Sequence, residues 1–278
     1  MTKAGLNTRR VTVHLGVPKT ATTSIQRYLV ANAGRLAPGL SVFTPGRGTP
    51  LNYLARMAVA YSQNPSEATE RELVAAIVAL SALIEEAPGN CLISHENLVG
   101  ATPGRGSERG LFPAAAAILR LIDRHLAPLP VRYVAYTREI EAWKRSVHGQ
   151  AIKTDGYTGP LETFLAETQA IAGWDDLKRR LADAVGERVT FLDMETDVSV
   201  ETPAESLLRL SGVAPEAIAA LDQTVEPLNV RLLPASLEFI RQLNATEISP
   251  ADRRLIVKVV KRNQSLFSSS FEPRASKR

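Results

Sequence analysis

The chain has 278 residues, 45% of them apolar and 22% charged, a mix that excludes a disordered chain and fits one large α/β domain or two small ones. With 33 Lys and Arg against 29 Asp and Glu the formal charge is +4, too small an excess to mark a nucleic-acid binder but suited to a site for anionic ligands. One cysteine, Cys91, excludes a disulfide within the chain; it sits in an apolar run as a buried small residue and points to a reducing compartment. The start, "MTKAGLNTRR", leads into only a short apolar stretch. Neither a signal peptide nor a membrane span is expected, and the reading is a soluble cytoplasmic protein.

The first apolar run, "VTVHLGV" (11–17), is short and β-branched and reads as a buried strand. From Thr23 onward Ile25, Tyr28, Leu29 and Leu36 fall at roughly helical spacing. "LSVF" (40–43) is a second, weaker strand, and "TPGRGTP" (44–50) is a loop by its glycine and proline content. Residues 51–62 and 67–87 have helical patterns. "NCLISHENL" (90–98) begins as a strand and turns polar at Ser94, His95, Glu96 and Asn97, and "GATPGRGSERG" (100–110) is the most loop-like segment. Residues 113–126 read as a helix, 131–137 as a strand, and 138–150 as a helix whose Trp143 and Val147, four apart, pack inward. Helices at 160–171 and 174–185, a strand at 188–194 and a mostly helical stretch at 204–267 follow, and 268–278 reads as a flexible basic tail. Strands alternating with helices predict an α/β fold, with a mostly parallel central sheet covered on both faces, in a single domain over 1–267.

The first candidate site is "PKTATTS" (18–24), between the first strand and the first helix. First-turn amides have no partner inside their helix, and the helix dipole favours negative charge there. Thr20, Thr22, Thr23 and Ser24 add hydroxyls and Lys19 a positive charge. Capping would need one such residue, not a run of them. A Walker loop would place its lysine at the helix entry after a glycine-rich lead, whereas Lys19 comes early, directly after Pro18. The run resembles the 5′-phosphosulfate loop of sulfotransferases, roughly Pro-Lys-x-Gly-Thr-Thr. Pro18, Lys19, Thr20, Thr22 and Thr23 match it, with Ala21 where glycine is usual. The resemblance implies a P-loop NTPase-like, three-layer α/β/α fold. It also implies 3′-phosphoadenosine 5′-phosphosulfate (PAPS) as co-substrate, adenosine 3′,5′-bisphosphate (PAP) as product, and no required metal. If position 21 needs a positive φ, alanine costs about 1 kcal/mol or more. If glycine serves only for clearance, one methyl is tolerated; the intact hydroxyls around it favour the second reading.

The same family carries a 3′-phosphate site formed by an arginine closing a later strand and a serine eight positions on. "VRYVAYTREIEAWKRSVHGQ" (131–150) offers Arg138 and Ser146 at that spacing, with Glu139 and Ile140 where Asp or Asn and then Pro are usual. A guanidinium suits a phosphate monoester through its planar fork of donors; the competing partners for Arg138 are Glu139 and Glu141. The C-terminal Gly- and Trp-containing motif of the cytosolic steroid and phenol enzymes is absent, so the resemblance is to bacterial or carbohydrate-type sulfotransferases.

Sulfuryl transfer needs a base at the acceptor hydroxyl and a cation at the leaving phosphate. Lys19 is the candidate cation. Glu96 is the favoured base, by resemblance to a Ser-x-Glu pattern, and His95 is the second candidate. In a strand the two would point to opposite faces. His14 reads as a packed histidine. Arg47, Arg105 and Arg109, on loops expected at the same sheet edge, are candidates for holding an acidic acceptor. The acceptor is expected to be a small molecule or glycan, with no nucleic-acid partner and no stable membrane insertion. The sequence does not give the oligomeric state. The competing functions are a P-loop-type nucleotide kinase or phosphotransferase, and a non-catalytic nucleotide-binding relative.

Overall fold

A computed structural model of the protein describes residues 9–222 and 232–267; the predicted tail 268–278 and part of the predicted helical stretch 204–267 fall outside them. Five strands form one sheet: β1 (Val11–His14), β2 (Leu40–Phe43), β3 (Asn90–Ser94), β4 (Val131–Thr137) and β5 (Val189–Asp193). Their order is β2-β3-β1-β4-β5 and every pairing is parallel. The expectation of a mostly parallel sheet is thus met without an antiparallel member.

Helices carry each crossover. α1 (Thr22–Ala31) and α2 (Ala33–Leu36) lead from β1 to β2. α3 (Pro50–Gln63) and α4 (Glu67–Glu86) lead to β3, and α5 (Ala115–Leu126) leads to β4. α6 (Ile140–Gln150), α7 (Leu161–Glu167) and α8 (Asp175–Val185) lead to β5. The short helices α9 (Met194–Asp197), α10 (Glu205–Leu210) and α11 (Pro215–Ala219) follow, then α12 (Pro234–Asn244) and α13 (Pro250–Arg262). Among the described residues no helix is long and apolar enough to cross a membrane.

The period-2 alternation of the strands divides the core. Val11, Val13, Cys91, Ile93, Tyr133 and Ala135 pack into a large cluster with α3, α4, α5, α6 and α8. Leu40, Leu92, Val134 and Tyr136 face the other way and pack against Ile25, Tyr28 and Leu29 of α1 and Leu207 and Leu208 of α10. Both faces are therefore covered, which is why the strands read as near-continuous apolar runs. Ile25 is fully buried; truncating it to alanine would cost about 2–5 kcal/mol.

β1 stops at His14, three residues short of the predicted 17. The physical cause is Gly16, whose φ of 90° leaves the extended region. The chain still runs beside β4, with Leu15 N donating to Val134 O at 2.8 Å and Val17 N to Tyr136 O at 3.4 Å. Successive strands are added on one side of β1 up to β3, then on the other side with β4. The carboxyl ends of β3, β1 and β4 thus meet where the winding reverses, the place at which open α/β sheets bind ligands.

Candidate functional site

The loop from β1 to α1 is built close against the exit of β3. A Cβ on Gly16 would stand 2.7 Å from Glu96 Cα, so only glycine permits that approach. Beyond it, Lys19 has φ 73° and Ala21 has φ 60° and ψ 12°. The sequence expectation for Ala21 is therefore corrected: position 21 is a left-handed residue, and alanine carries the strain that glycine would avoid.

Side chains brace this backbone from within. Thr20 Oγ1 donates to Val17 O at 2.6 Å and Thr22 Oγ1 to the same carbonyl at 3.3 Å. The Trp143 indole donates to Pro18 O at 2.8 Å and Arg138 Nη1 to Lys19 O at 3.4 Å. Thr20 is fully buried, so it braces the loop rather than offering its hydroxyl to a ligand. Ser24 is exposed and lies off the cleft described below, with its amide bonded to Ala21 O at 2.9 Å. What remains open is the start of α1. Its N-cap, Ala21, has no capping side chain, and the first turn holds no acidic residue. Among the described residues the amides of Thr22 and Thr23 have no partner.

β4 delivers Arg138 beside this loop. Its carbonyl accepts from Trp174 Nε1 at 2.6 Å, and Trp174 packs edge-on against Trp143 with ring centroids 5.0 Å apart. The same aromatic pair thus holds Pro18 on one side and Arg138 on the other. Arg138 Nε is buried without a hydrogen bond and stands 3.5 Å from Glu195 Oε1. The sequence-based partners of Arg138 are engaged elsewhere. Glu139 caps α6, accepting from Glu141 N at 2.8 Å and Ala142 N at 2.6 Å, and Glu141 pairs with Lys144 at 3.1 Å. The partner of Arg138 is Glu195 on α9, 57 residues further along.

These pieces line one cleft of about 690 Å³. Pro18, Lys19, Ala21, Thr22 and Thr23 line it from the loop and α1, Arg138 and Ser146 from β4 and α6, and Glu96 from beyond β3. Five cationic side chains (Lys19, Arg105, Arg138, Lys153 and Lys261) face two carboxylates, Glu96 and Asp155. The crowding shows in the lysines. Burial, with Arg138 and Lys261 nearby, holds the Lys19 ammonium below its ordinary pKa, partly offset by Glu96. Burial, with Lys19 and Lys261, pushes Lys153 down to about 8.

β3 ends at Ser94 and Glu96 opens a 3-10 turn, Glu96–Val99, so the strand rule of opposite faces does not apply to His95 and Glu96. They line different cavities, although His95 Nδ1 stands 3.9 Å from Glu96 Oε2. Glu96 points into the cleft, with Oε2 held by Gln26 Nε2 at 3.1 Å. His95 is buried, accepts Asn97 N on Nδ1 at 3.2 Å, and has Nε2 3.4 Å from Asn52 Oδ1. It therefore caps the 3-10 turn as a neutral ring, and burial holds its pKa below the ordinary value. It lines a smaller neighbouring cavity with Asn52 instead of the cleft. His14 is packed as read: fully buried, bonded through Nδ1 to Ser94 Oγ at 2.8 Å, its pKa pushed down to about 3 by burial.

Of the three loop arginines only Arg105 reaches the cleft, 3.6 Å from Asp155. Arg109 pairs with Glu167 at 2.6 Å beside the Tyr157 ring, and Arg47 is exposed away from the cleft. Sequence reasoning missed Lys153 and Lys261. Neither lies in a motif, and both reach the cleft through tertiary packing. No protein-family model and no curated protein matches the chain.

Proposed function

We propose that the chain is a sulfotransferase that moves a sulfuryl group from PAPS to a hydroxyl acceptor, on a fold of the P-loop-like, three-layer α/β/α kind. The observation that carries this reading is the convergence of Lys19, Thr22 and Thr23 with Arg138 and Ser146. The two groups come from motifs ~120 residues apart and line one cation-rich cleft. The residues fit a ligand with phosphate-type anions: an uncapped helix start beside Lys19 suits one, and the half-buried Arg138 guanidinium, whose Nε faces Glu195, presents its remaining donors to the cleft for another.

In this reading PAPS supplies an activated sulfur–oxygen bond. Lys19 offsets the charge that builds on the oxygen bridging sulfur and phosphorus as that bond breaks. The α1 amides and Thr23 hold the 5′ end, and Arg138 with Ser146 hold the 3′-phosphate. Glu96 takes the proton of the attacking hydroxyl. Its carboxylate is suited to the role because Gln26 fixes one oxygen at 3.1 Å and leaves the other free to accept. Asn97 and Arg105 line both the cleft and the smaller cavity beside it, which extends the site toward a polar acceptor such as a sugar hydroxyl.

Two measurements test the proposal: thermal stabilisation by PAP, compared with ATP plus magnesium, and sulfate transfer from labelled PAPS to a panel of glycans and metabolites. Stabilisation by PAP together with transfer is expected. Stabilisation by ATP alone would favour a kinase, and PAP binding with no transfer would favour a non-catalytic relative.

A further inference from the structure

The cleft has a second wall that neither motif reaches. α6 ends at Gln150, and the chain passes through one π-helical turn, Ala151–Asp155, before Gly156 reverses it with φ 78°. Such turns leave carbonyls outside the regular helical ladder. Here two C-terminal helices satisfy them. Asn244 of α12 donates to Ile152 O and Tyr157 O, each at 2.9 Å. Arg253 of α13 donates to Ile152 O at 2.7 Å and to Thr154 O at 3.4 Å, and its Nε donates to Asn244 Oδ1 at 2.6 Å. A guanidinium and an amide are thus committed to one turn, and that turn carries Lys153 into the cleft.

α13 contributes a second group. Lys261 lies eight residues beyond Arg253 on the same helix and lines the same cleft. Among the described residues neither Lys153 nor Lys261 has an ion-pair partner, while Asp155 stands 3.6 Å from Arg105. Burial depresses both Lys153 and Lys19; Lys19 and Lys261 add to it at Lys153, and Arg138 and Lys261 add to it at Lys19. All three lysines line the one cleft.

We infer that Lys153 and Lys261 form a second oxyanion subsite in the cleft, and that Arg253 positions it by holding the 151–155 turn. The subsite takes a phosphate- or sulfate-type group. That this group is the sulfuryl end of the donor rests on the sulfotransferase reading; the subsite itself does not. It makes the C-terminal helix pair part of the binding site.

The test is calorimetric titration at fixed ionic strength with two probes, inorganic pyrophosphate and PAP, on the full chain and on Lys153→Met, Lys261→Met and Arg253→Met. Each lysine variant is expected to weaken pyrophosphate binding about tenfold. Arg253→Met is expected to weaken it in the wild-type background but to add nothing to Lys153→Met, a non-additivity that a merely structural role would not give. Wild-type affinity should also fall as pH rises through about 8, and the fall should be smaller in Lys153→Met, where Lys19, also held low by burial, remains. Lys19, Lys261, Arg105, Arg138, Glu96 and Asp155 share the cleft and are unchanged in that variant. Lys153→Gln replaces the methionine variant if the latter does not fold. Lysine variants that bind pyrophosphate as the wild type does would overturn the subsite. If PAP binds no better than pyrophosphate while the lysine effects hold, the PAPS reading falls and the subsite stands. A wild-type protein that binds neither probe overturns both.

Discussion

Two helices begin side by side at the carboxyl edge of the sheet, α1 after β1 and α6 after β4, and their N-termini are treated in opposite ways. α6 carries its own stopper: the Glu139 carboxylate accepts from two first-turn amides at 2.8 and 2.6 Å. α1 has none. Its cap is an alanine, its first turn holds no acid, and its hydroxyl at Thr22 turns back to Val17 O. Both ends have the same dipole and the same surplus of donors. The difference lies in who satisfies them: α6 is capped from its own chain, and among the described residues the first amides of α1 are left open.

The comparison can be broken experimentally. Lys19→Ala should give the largest effect, a loss of about a hundredfold or more in turnover with a confirmed acceptor; an unchanged rate would remove Lys19 from the chemistry. Ala21→Asp should place a negative charge at the open start of α1, where it would repel an anion. Aspartate is one of the residues that tolerates a left-handed backbone, so the protein should fold while PAP binding is lost, as read by calorimetry. Arg138→Ala should raise the Kd for PAP by about tenfold or more, and Arg138→Lys should not restore it, because a lysine lacks the planar fork.

The stopper itself should matter only for stability. Backbone hydrogen bonds from Glu141 and Ala142 hold the Glu139 carboxyl below the ordinary glutamate pKa. The stabilisation it gives is present above the unfolded-state pKa and is lost as pH falls through the lower folded-state value. Glu139→Gln should therefore lower the melting temperature slightly at neutral pH and flatten its fall in acid, with PAP affinity unchanged. Smallest of all, Ala21→Gly should stabilise the fold by roughly 0.5–1 kcal/mol in a denaturant titration by relieving the left-handed alanine.

Much of the fold was legible in the sequence because it rests on local signals. β2 and β4 occupy the predicted 40–43 and 131–137, and β5 lies one residue inside each end of the predicted 188–194. β4 is almost wholly buried and the edge strands β2 and β5 are half-buried, and each carries a β-branched or aromatic run that marks a strand. The site was legible only where motif and spacing carried it. Lys19, Arg138, Ser146 and Glu96 come together in the cleft. Thr20 and His95 do not, because a hydroxyl or a ring beside a tight turn can as readily satisfy the backbone as face a ligand.

By itself, then, the sequence determined the alternation of strand and helix and the two faces of the sheet, and a family resemblance implied the pairing of a hydroxyl-rich loop with a later arginine. Hydrophobic period and turn chemistry are properties of neighbouring residues. Only the tertiary structure decided the left-handed backbone at Ala21, the choice of Glu195 over Glu139 for Arg138, and the arrival of Lys153 and Lys261. Each of these depends on which distant elements pack together. A π turn held by Asn244 and Arg253 has no counterpart in any local stretch of the chain.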